Sequence, residues 1–206
     1  MPKLYYTTTS CGASNFIAAF IAGLSIEAET VELATHKTAT GVDFYTINPK
    51  GNVPTIVLDD GTVLNENAAT LQWIADQVPG AVAPVAGTVD RYKVVQALSY
   101  ISSEVHSTIG ALFYPNDPIV LEWTRKKLAT KLQYLNDHLL RGKHYLVGDS
   151  FTIADSYLFI VLSWTGYLQV DLAPYPNVKA YFESIASLPI VQEAQARLAT
   201  TPLTTR

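Results

Sequence analysis

The chain has 206 residues, of which 49% are hydrophobic and only 16% are charged, and its formal net charge is −4 at pH 7. This length can bury a sizeable core in one domain or in two small ones, and the mildly acidic balance without a basic run argues against a nucleic-acid-binding protein. The single cysteine, Cys11, excludes an internal disulfide framework and a zinc site built from several thiolates.

The first part of the chain alternates predicted strands and helices. In order, the pattern predicts a strand at residues 3–7, a helix at 14–24, a strand at 28–33, a polar loop at 35–41, strands at 53–59 and 62–65 joined by an Asp-Asp-Gly turn, and a helix at 67–78. The first helix is apolar nearly all round, so we expect it to be buried. Strands separated by helices favour a parallel start, and the hairpin adds an antiparallel edge. The order β-α-β-(loop or helix)-β-β-α is that of a thioredoxin-like domain.

The second part of the chain has only helical patterns. It follows an uncharged stretch dense in Pro, Gly and Ala at residues 79–87, which is typical of a linker. Helices are predicted at residues 88–112, 118–140, 152–169, 176–188 and 190–198, and no convincing strand follows residue 88. The sequence therefore predicts a thioredoxin-like domain at residues 1–79, a linker at 80–87 and an all-helical domain at 88–206.

The helix predicted at 152–169 has a start signal and a long apolar run. Thr152 and Asp155 have the spacing of a capping box, so we interpret Asp155 as a folding device rather than a catalytic acid. The apolar run at 157–170 is shorter than the roughly 20 residues of a membrane span. The N-terminus lacks the apolar run of a signal peptide, so we expect a cytoplasmic protein.

Cys11 lies where the first strand gives way to the first helix. A helix N-terminus favours the thiolate and lowers the pKa of a thiol, and the C-x-x-S spacing of Cys11 and Ser14 is that of thiol oxidoreductases. The alternative is a small buried residue, because free cysteine is among the most buried residue types. Ser10 is a rival for the same role, since its hydroxyl could hold a bound thiolate.

Two dipeptides could bind a peptide ligand. Val53 and Pro54 open a predicted strand, where a cis bond would leave the Val53 backbone free to pair with an extended peptide, although a trans bond is the more common case. Glu66 and Asn67 open a helix whose N-terminus would attract a carboxylate, and Glu66 could pair with an amine. Simple N-capping by Asn67 is the alternative.

A polar stripe on the first helix after the linker could face the other domain. Ser99, Ser103 and His106 lie at i, i+4 and i+7, and His106 could hydrogen-bond a thiol or thiolate, although a lone helical histidine is more often a surface residue. Other side chains could line an apolar substrate pocket or simply belong to the core: Leu112, Phe113, Tyr114, Trp164 and Tyr167.

These motifs together resemble the cytosolic glutathione transferases, most closely the Beta class. KLYYTTTSCGAS resembles the first strand and cysteine-bearing turn of that class, and residues 48–76, NPKGNVPTIVLDDGTVLNENAATLQWIAD, are very like the glutathione-site segment. YISSEVH at residues 100–106 resembles the helix that brings a histidine to the sulfur. FTIADSYLF at residues 151–159 resembles the family's helix-capping motif.

The resemblance implies a thioredoxin-like domain followed by a helical domain, a homodimer, and a set of glutathione contacts. Val53, before a cis Pro54, would pair with the cysteinyl part of glutathione, and Glu66 and Asn67 would hold its γ-glutamyl end. His36 or Lys37 would meet the glycyl carboxylate. Cys11 and His106 would flank the sulfur, and Trp164 would lie near the sulfur site.

The implied function is transfer of glutathione to small apolar electrophiles, a detoxification reaction. Glutathione would be the co-substrate, and neither a metal, a nucleic acid nor a membrane would be needed. Two alternatives stay open at this point. Cys11 thiolate could attack a mixed disulfide in thiol–disulfide exchange, or the fold could serve ligand binding without catalysis.

Overall fold

The computed structural model describes residues 1–114, 117–198 and 203–204. Its strands are β1 (Lys3–Tyr6), β2 (Glu27–Glu32), β3 (Lys37–Thr38), β4 (Thr55–Val57), β5 (Val63–Asn65) and β6 (Leu203–Thr204). Its helices are α1 (Ala13–Ala22), α2 (Asn67–Gln77), α3 (Val89–Tyr100), α4 (Ser107–Gly110), α5 (Pro118–Tyr134), α6 (Ile153–Tyr167), α7 (Pro176–Ser187) and α8 (Pro189–Leu198). Helices dominate beyond the first 77 residues, as predicted.

The sheet has the main path β3-β2-β1-β4-β5. The predicted parallel start is confirmed, because β1 pairs with β2 in parallel and Lys3 lies opposite Glu27. β4 pairs antiparallel with both β1 and β5, so the predicted hairpin is also confirmed. Buried and exposed side chains do not alternate along β1 and β4. The strand predicted at residues 53–59 is shorter in the structure, where β4 has three residues.

Two short strands correct the prediction. β3 lies inside the stretch predicted to be a loop and pairs antiparallel with the end of β2. β6 follows residue 88, where no strand was expected, and pairs antiparallel with the start of β2. Each strand has only two residues. A two-residue strand is specified by its backbone partner rather than by an alternating pattern, so its own sequence carries little signal.

The helix predicted at residues 88–112 is not a single α-helix. α3 continues into a π-helical segment, Ile101–His106, then into α4 and a 3₁₀ turn, Ala111–Phe113. A π-helical turn bonds each N–H five residues back and so adds about one residue per turn. The side chains that follow are therefore rotated relative to α-helical spacing, which matters for the site described below.

α1 and α6 form the centre of the core. Both helices are buried along most of their length, as predicted for α1, and they pack directly against each other. Ser156 on α6 donates a hydrogen bond to the carbonyl of Ser14 on α1 at 2.7 Å. The predicted capping of α6 is confirmed, since the Asp155 carboxylate accepts the N–H of Thr152 at 2.8 Å. The two halves of the chain are therefore held in a fixed relation.

Glu29, on β2, gives a prediction about acid stability. Its carboxylate lies 2.5 Å from Lys3 Nζ and accepts the backbone N–H and hydroxyl of Thr40 at 2.8 and 2.7 Å. Burial alone would raise the pKa of Glu29, but the hydrogen bonds from Lys3 and Thr40 lower it to about 2. Because the folded pKa is below the unfolded value near 4.3, this carboxylate stabilises the fold above that pH and loses its effect as the pH falls towards 2.

We therefore expect Glu29→Gln to lower the free energy of unfolding by about 2 to 3 kcal/mol at pH 7 and to have little effect near pH 2. Urea unfolding of both proteins across this pH range measures the difference. Glu27→Gln is the control, because Glu27 is exposed on the same strand. A difference between Glu29→Gln and the wild type that is constant with pH would contradict the expectation.

Candidate functional site

A cleft of about 950 Å³ lies between the turns of the sheet half and the helices of the second half. It brings together many of the residues singled out from the sequence: Ser10, Cys11, His36, Val53, Pro54, Glu66, Asn67, His106, Phe113, Tyr114 and Trp164. It also contains residues that the sequence did not single out: Thr9, Leu33, Lys50, Gly51, Asn52, Ser102, Ser107, Gly110, Ala111 and Tyr157. One end of the cleft is polar and the other is aromatic.

Five predicted residues do not line this cleft: Lys37, Ser99, Ser103, Leu112 and Tyr167. Lys37 belongs to β3 and is exposed. Tyr167 is 81% exposed and stacks on Phe113, with 5.8 Å between ring centroids, so it contacts the wall only from outside.

The two serines are displaced by the π-helical segment. Ser99 and Ser103 are exposed, and Ser103 Oγ donates to the carbonyl of Ser99 at 2.8 Å. Their α-helical spacing from His106 does not apply across a π-helical turn. Ser102 and Ser107 lie in the cleft beside His106 instead. Ser99 and Ser103 therefore do not line the cleft as predicted, whereas His106 does.

Cys11 is a buried thiol at the start of α1. It is 9% exposed, and its Sγ donates to the carbonyl of Val53 at 3.7 Å. Burial raises the pKa of Cys11 to about 12, more than the nearby backbone N–H groups lower it. The expectation of a lowered pKa is therefore wrong, because desolvation outweighs the helix N-terminus. The thiol is neutral at pH 7 and can act as a hydrogen-bond donor.

Ser10 is already engaged in the turn before α1. Its hydroxyl donates to the carbonyl of Thr7 at 3.0 Å and accepts the N–H of Gly12 at 3.1 Å. Using the hydroxyl to hold a thiolate would require it to give up the bond to Thr7. The Cys11 thiol likewise donates to a backbone carbonyl, that of Val53, so either side chain would have to release its present acceptor to donate to a bound sulfur.

The bond between Val53 and Pro54 is cis. The sequence alone favoured trans, and the family resemblance implied cis, so the resemblance was the better guide. The turn before this bond is held by Asn48, whose Nδ2 donates to the carbonyl of Asn52 and to the hydroxyl of Thr55 at 2.8 and 3.0 Å. Val53 and Pro54 both line the cleft as a result.

Glu66 and Asn67 have different roles from those of a simple helix cap. Glu66 is itself the residue before α2, with φ of 73°, and its carboxylate lies 2.6 Å from Lys50 Nζ. The Asn67 side chain is buried and turned towards α1, where it accepts from Asn15 Nδ2 at 2.5 Å and donates to Ser14 Oγ at 3.1 Å. Capping by Asn67 is therefore excluded, and the Glu66 carboxylate remains open to the cleft.

His36 lies in the cleft above Gly51. Its ring is tilted against Tyr45, with 4.4 Å between ring centroids. Gly51 has φ of +67°, and a Cβ at this position would lie only 2.5 Å from a Tyr45 ring carbon. Only glycine can therefore adopt this conformation and allow both rings to pack over it. The adjacent Lys50 provides a cation at the same end of the cleft.

His106 is half-buried between two aromatic residues of α6. Its Nδ1 lies 2.6 Å from the hydroxyl of Tyr157, and its ring is edge-on to Trp164 with 5.0 Å between centroids. Trp164 is held in turn by its Nε1–H, which donates to the carbonyl of Thr9 at 2.9 Å. Burial lowers the pKa of His106, so the ring is neutral at pH 7.

Sequence reasoning missed Tyr157, although a signal was present. Tyr157 and Trp164 are seven residues apart and therefore share a face of α6. On this helix, the sequence analysis considered only Trp164 and Tyr167 as pocket residues. A hydroxyl inside an apolar run is the kind of buried polar group that needs a partner, and that partner is His106.

The site therefore combines two neutral hydrogen-bond donors with a charged end and an aromatic end. The thiol of Cys11 and a ring N–H of His106 can both stabilise an anion, such as a thiolate, without holding a net charge themselves. Within the described ranges, no group of three His, Cys, Asp or Glu side chains could hold a metal ion. None of the helices in the same ranges is long and apolar enough to cross a membrane.

Comparisons with known proteins point to the same family in both halves of the chain. Residues 13–77 match the family described as glutathione S-transferase, N-terminal domain, and residues 98–189 match glutathione S-transferase, C-terminal domain. Glutathione S-transferase GstA of Escherichia coli O157:H7 is 37% identical over 195 residues, which cover 93% of this chain and 96% of GstA.

Solved structures give the same result. A glutathione transferase from Methylococcus capsulatus is 40% identical, with a TM-score of 0.90 and coverage of 96% of this chain and 98% of that chain. A sphingomonad glutathione S-transferase complexed with glutathione is 36% identical, with a TM-score of 0.90 and coverage of 97% and 100%. A beta-class enzyme from Sphingomonas chungbukensis is 38% identical, with a TM-score of 0.88 and coverage of 96% and 98%.

Proposed function

Because this chain belongs to the glutathione S-transferase family, we propose that glutathione and an electrophile meet in the cleft that contains Cys11 and His106. The chain has a thioredoxin-like N-terminal half and a helical C-terminal half, and it acts as a transferase with glutathione as co-substrate. The observation that supports this location is the convergence of two neutral donors, a charged end and an aromatic wall on one cleft.

Glutathione would lie across the polar end of the cleft. The Val53 backbone would pair with the cysteinyl residue, and the Glu66 carboxylate would bind the γ-glutamyl amino group. The N-terminus of α2 favours the γ-glutamyl carboxylate. His36 would meet the glycyl carboxylate, whereas Lys37, the other residue implied for this contact, lies outside the cleft.

The electrophile would lie at the aromatic end. Phe113 and Trp164 pack edge-to-face with 5.4 Å between centroids, and Tyr114 extends the wall. Such side chains bind apolar and aromatic groups by contact area and ring stacking. Small apolar electrophiles are therefore the proposed substrates, and detoxification is the proposed role.

Sulfur activation would rely on hydrogen bonds to the thiolate. An ordinary cysteine-type thiol has a pKa near 8.5, and lowering it by two units needs only about 2.7 kcal/mol of preference for the anion. Hydrogen bonds to a charged acceptor contribute roughly 1.5 to 3 kcal/mol each. One such bond, from His106, is therefore of about the required size, and the weaker donor Cys11 would add to it. Proximity to the bound electrophile supplies further rate enhancement.

Thiol–disulfide exchange through Cys11 is less well supported. Such exchange needs a thiolate, and burial raises the pKa of Cys11 to about 12. Ligand binding without catalysis is likewise not favoured, because the candidate catalytic groups face the cleft together. Conjugation is the function that the geometry supports best.

Binding of glutathione by Glu66 gives the experiment that tests this proposal. Glu66→Gln should weaken glutathione binding about tenfold, because a charge-assisted hydrogen bond to the amino group becomes a neutral one. Titration calorimetry measures the dissociation constant, and a conjugation assay with a chlorinated aromatic substrate measures turnover. The wild type should bind glutathione and turn over.

Glu122→Gln is the matched control for Glu66→Gln. Glu122 also forms an exposed ion pair, with 2.6 Å between its carboxylate and Lys126 Nζ, and it lies on α5 outside the cleft. Its replacement should leave the dissociation constant unchanged. Equal dissociation constants for Glu66→Gln and the wild type would refute the proposed orientation of glutathione.

We also propose that the protein is a cytoplasmic homodimer with domains at residues 1–79 and 88–206. The two family matches fall inside these ranges, which supports the division. Ser99 and Ser103 are exposed beside the cleft-lining Ser102, and Tyr92 on the same helix is 65% exposed, so α3 offers a surface that a second copy could cover. Light scattering across a range of protein concentrations tests the dimer.

A further inference from the structure

Tyr157 is a buried tyrosine that faces the candidate site. It is 1% exposed, it lines the cleft, and its hydroxyl lies 2.6 Å from Nδ1 of His106. The two rings are edge-on, with 5.6 Å between centroids. α6, which carries Tyr157, is fixed to α1 by Ser156 and capped by Asp155, so the tyrosine is held on a rigid element.

The surroundings of Tyr157 set the direction of this hydrogen bond. Tyr157 is 1% exposed, and among the described residues Nδ1 of His106 is the only hydrogen-bond partner of its hydroxyl. If Nδ1 donated to the tyrosine oxygen instead, the hydroxyl proton of Tyr157 would be buried without an acceptor, which is costly. The hydroxyl of Tyr157 therefore donates to Nδ1 of His106. In a neutral imidazole, one nitrogen accepts and the other carries the proton, so an accepting Nδ1 requires a protonated Nε2.

We propose that Tyr157 is a positioning residue that keeps His106 in its Nε2–H form, so that this N–H donates to the glutathione sulfur. The inference rests on the proposed function for its last step only, since the tautomer is a property of the protein without ligand. His106 is then a donor and not a base: the thiol proton of glutathione passes to solvent, and the thiolate accepts from Nε2–H.

No other titratable group described near His106 takes the part of Tyr157 as the hydrogen-bond partner of its Nδ1. Cys11 and Glu66 face the cleft from the sheet half, and neither is hydrogen-bonded to the histidine. On the helix that carries His106, Glu104 is paired with Lys131 of α5 at 2.6 Å. Burial strongly raises the pKa of Tyr157 and lowers that of His106, and both shifts favour the neutral forms of the two partners.

The test is Tyr157→Phe, which retains the ring and removes the hydroxyl. Histidine-selective ¹⁵N labelling and NMR at pH 7.5 report which ring nitrogen carries the proton, and the loss of one signal set in His106→Gln identifies His106 among the four histidines. We expect Nε2–H in the wild type and a mixture of both tautomers in Tyr157→Phe. The thiol pKa of bound glutathione should rise by about one unit, which makes conjugation roughly tenfold slower at low pH and equal at high pH.

Tyr181→Phe is the control for simple loss of a buried hydroxyl. The Tyr181 hydroxyl donates to Asp155 at 2.9 Å and has no part in the cleft, so this variant should lose stability and keep the wild-type tautomer and pH profile. Three results would each overturn the inference. They are an Nδ1–H tautomer of His106 in the wild type, an unchanged tautomer in Tyr157→Phe, and a changed tautomer in Tyr157→Phe with an unchanged pH profile of conjugation. Failure of the proposed function would show separately, as absence of glutathione binding by the wild type.

Discussion

Asp155→Ala should lower the free energy of unfolding by about 4 kcal/mol, among the largest effects of a single substitution. One carboxylate oxygen accepts the N–H and hydroxyl of Thr152, and the other accepts the N–H of Leu146 and the hydroxyl of Tyr181, all within 2.9 Å. The side chain is fully buried, so its removal leaves these donors without a partner inside the core. Urea unfolding measures the change.

Asp90→Ala is the matched control. Asp90 also lies in the first turn of a helix, α3, but it is exposed and pairs only with Lys93 at 2.8 Å. An exposed pair of this kind contributes at most about 1 kcal/mol. Asp155→Asn should also lower the free energy of unfolding, because the new side-chain NH₂ group would face N–H or O–H donors where a carboxylate oxygen now accepts from them. If Asp155→Ala cost no more than Asp90→Ala, the folding role of Asp155 would be wrong.

His106→Ala should lower kcat/KM for conjugation by about 10- to 100-fold near pH 6.5. The substitution removes one donor to the glutathione thiolate, and a hydrogen bond to a charged acceptor contributes roughly 1.5 to 3 kcal/mol. The loss should shrink as the pH rises, because the thiol then ionises without help. Since burial lowers the pKa of His106, the wild-type rate should follow the thiol and show no histidine titration between pH 7 and 8.

His138→Ala controls for the loss of an imidazole. His138 is exposed, lies outside the cleft and contacts Tyr134, with 5.3 Å between ring centroids. Its replacement should leave the pH profile of conjugation unchanged. A profile for His106→Ala that coincides with the wild type from pH 6 to 8 would exclude His106 as an activator of the sulfur.

The sequence predicted local structure correctly where a few adjacent residues determine it. The hairpin between β4 and β5 and the capping of α6 by Asp155 both follow from a few adjacent residues. The strands β3 and β6 were missed because each is defined by its hydrogen bonds to β2 and not by its own pattern. The π-helical segment was missed because hydrophobic spacing predicts a helix but not the number of residues per turn.

The candidate site divides in the same way. Cys11, Glu66 and the Val53–Pro54 dipeptide were identified from the sequence because each lies at a recognisable end of a strand or helix. The pKa of Cys11 was predicted in the wrong direction, since the first strand and helix reveal the dipole but not the burial supplied by other elements. Tyr157 acquires its role only through its contact with His106, which is 51 residues away in the chain.

The sequence by itself determined the order of the elements, the buried helix α1, the cap of α6 and the family, because these depend on residue types at short spacing. The tertiary structure alone decided the protonation state of Cys11, the face of the π-helical segment that meets the cleft, and the pairing of Tyr157 with His106. These features depend on desolvation and on hydrogen bonds between elements that are far apart in the chain, and neither is encoded in local pattern.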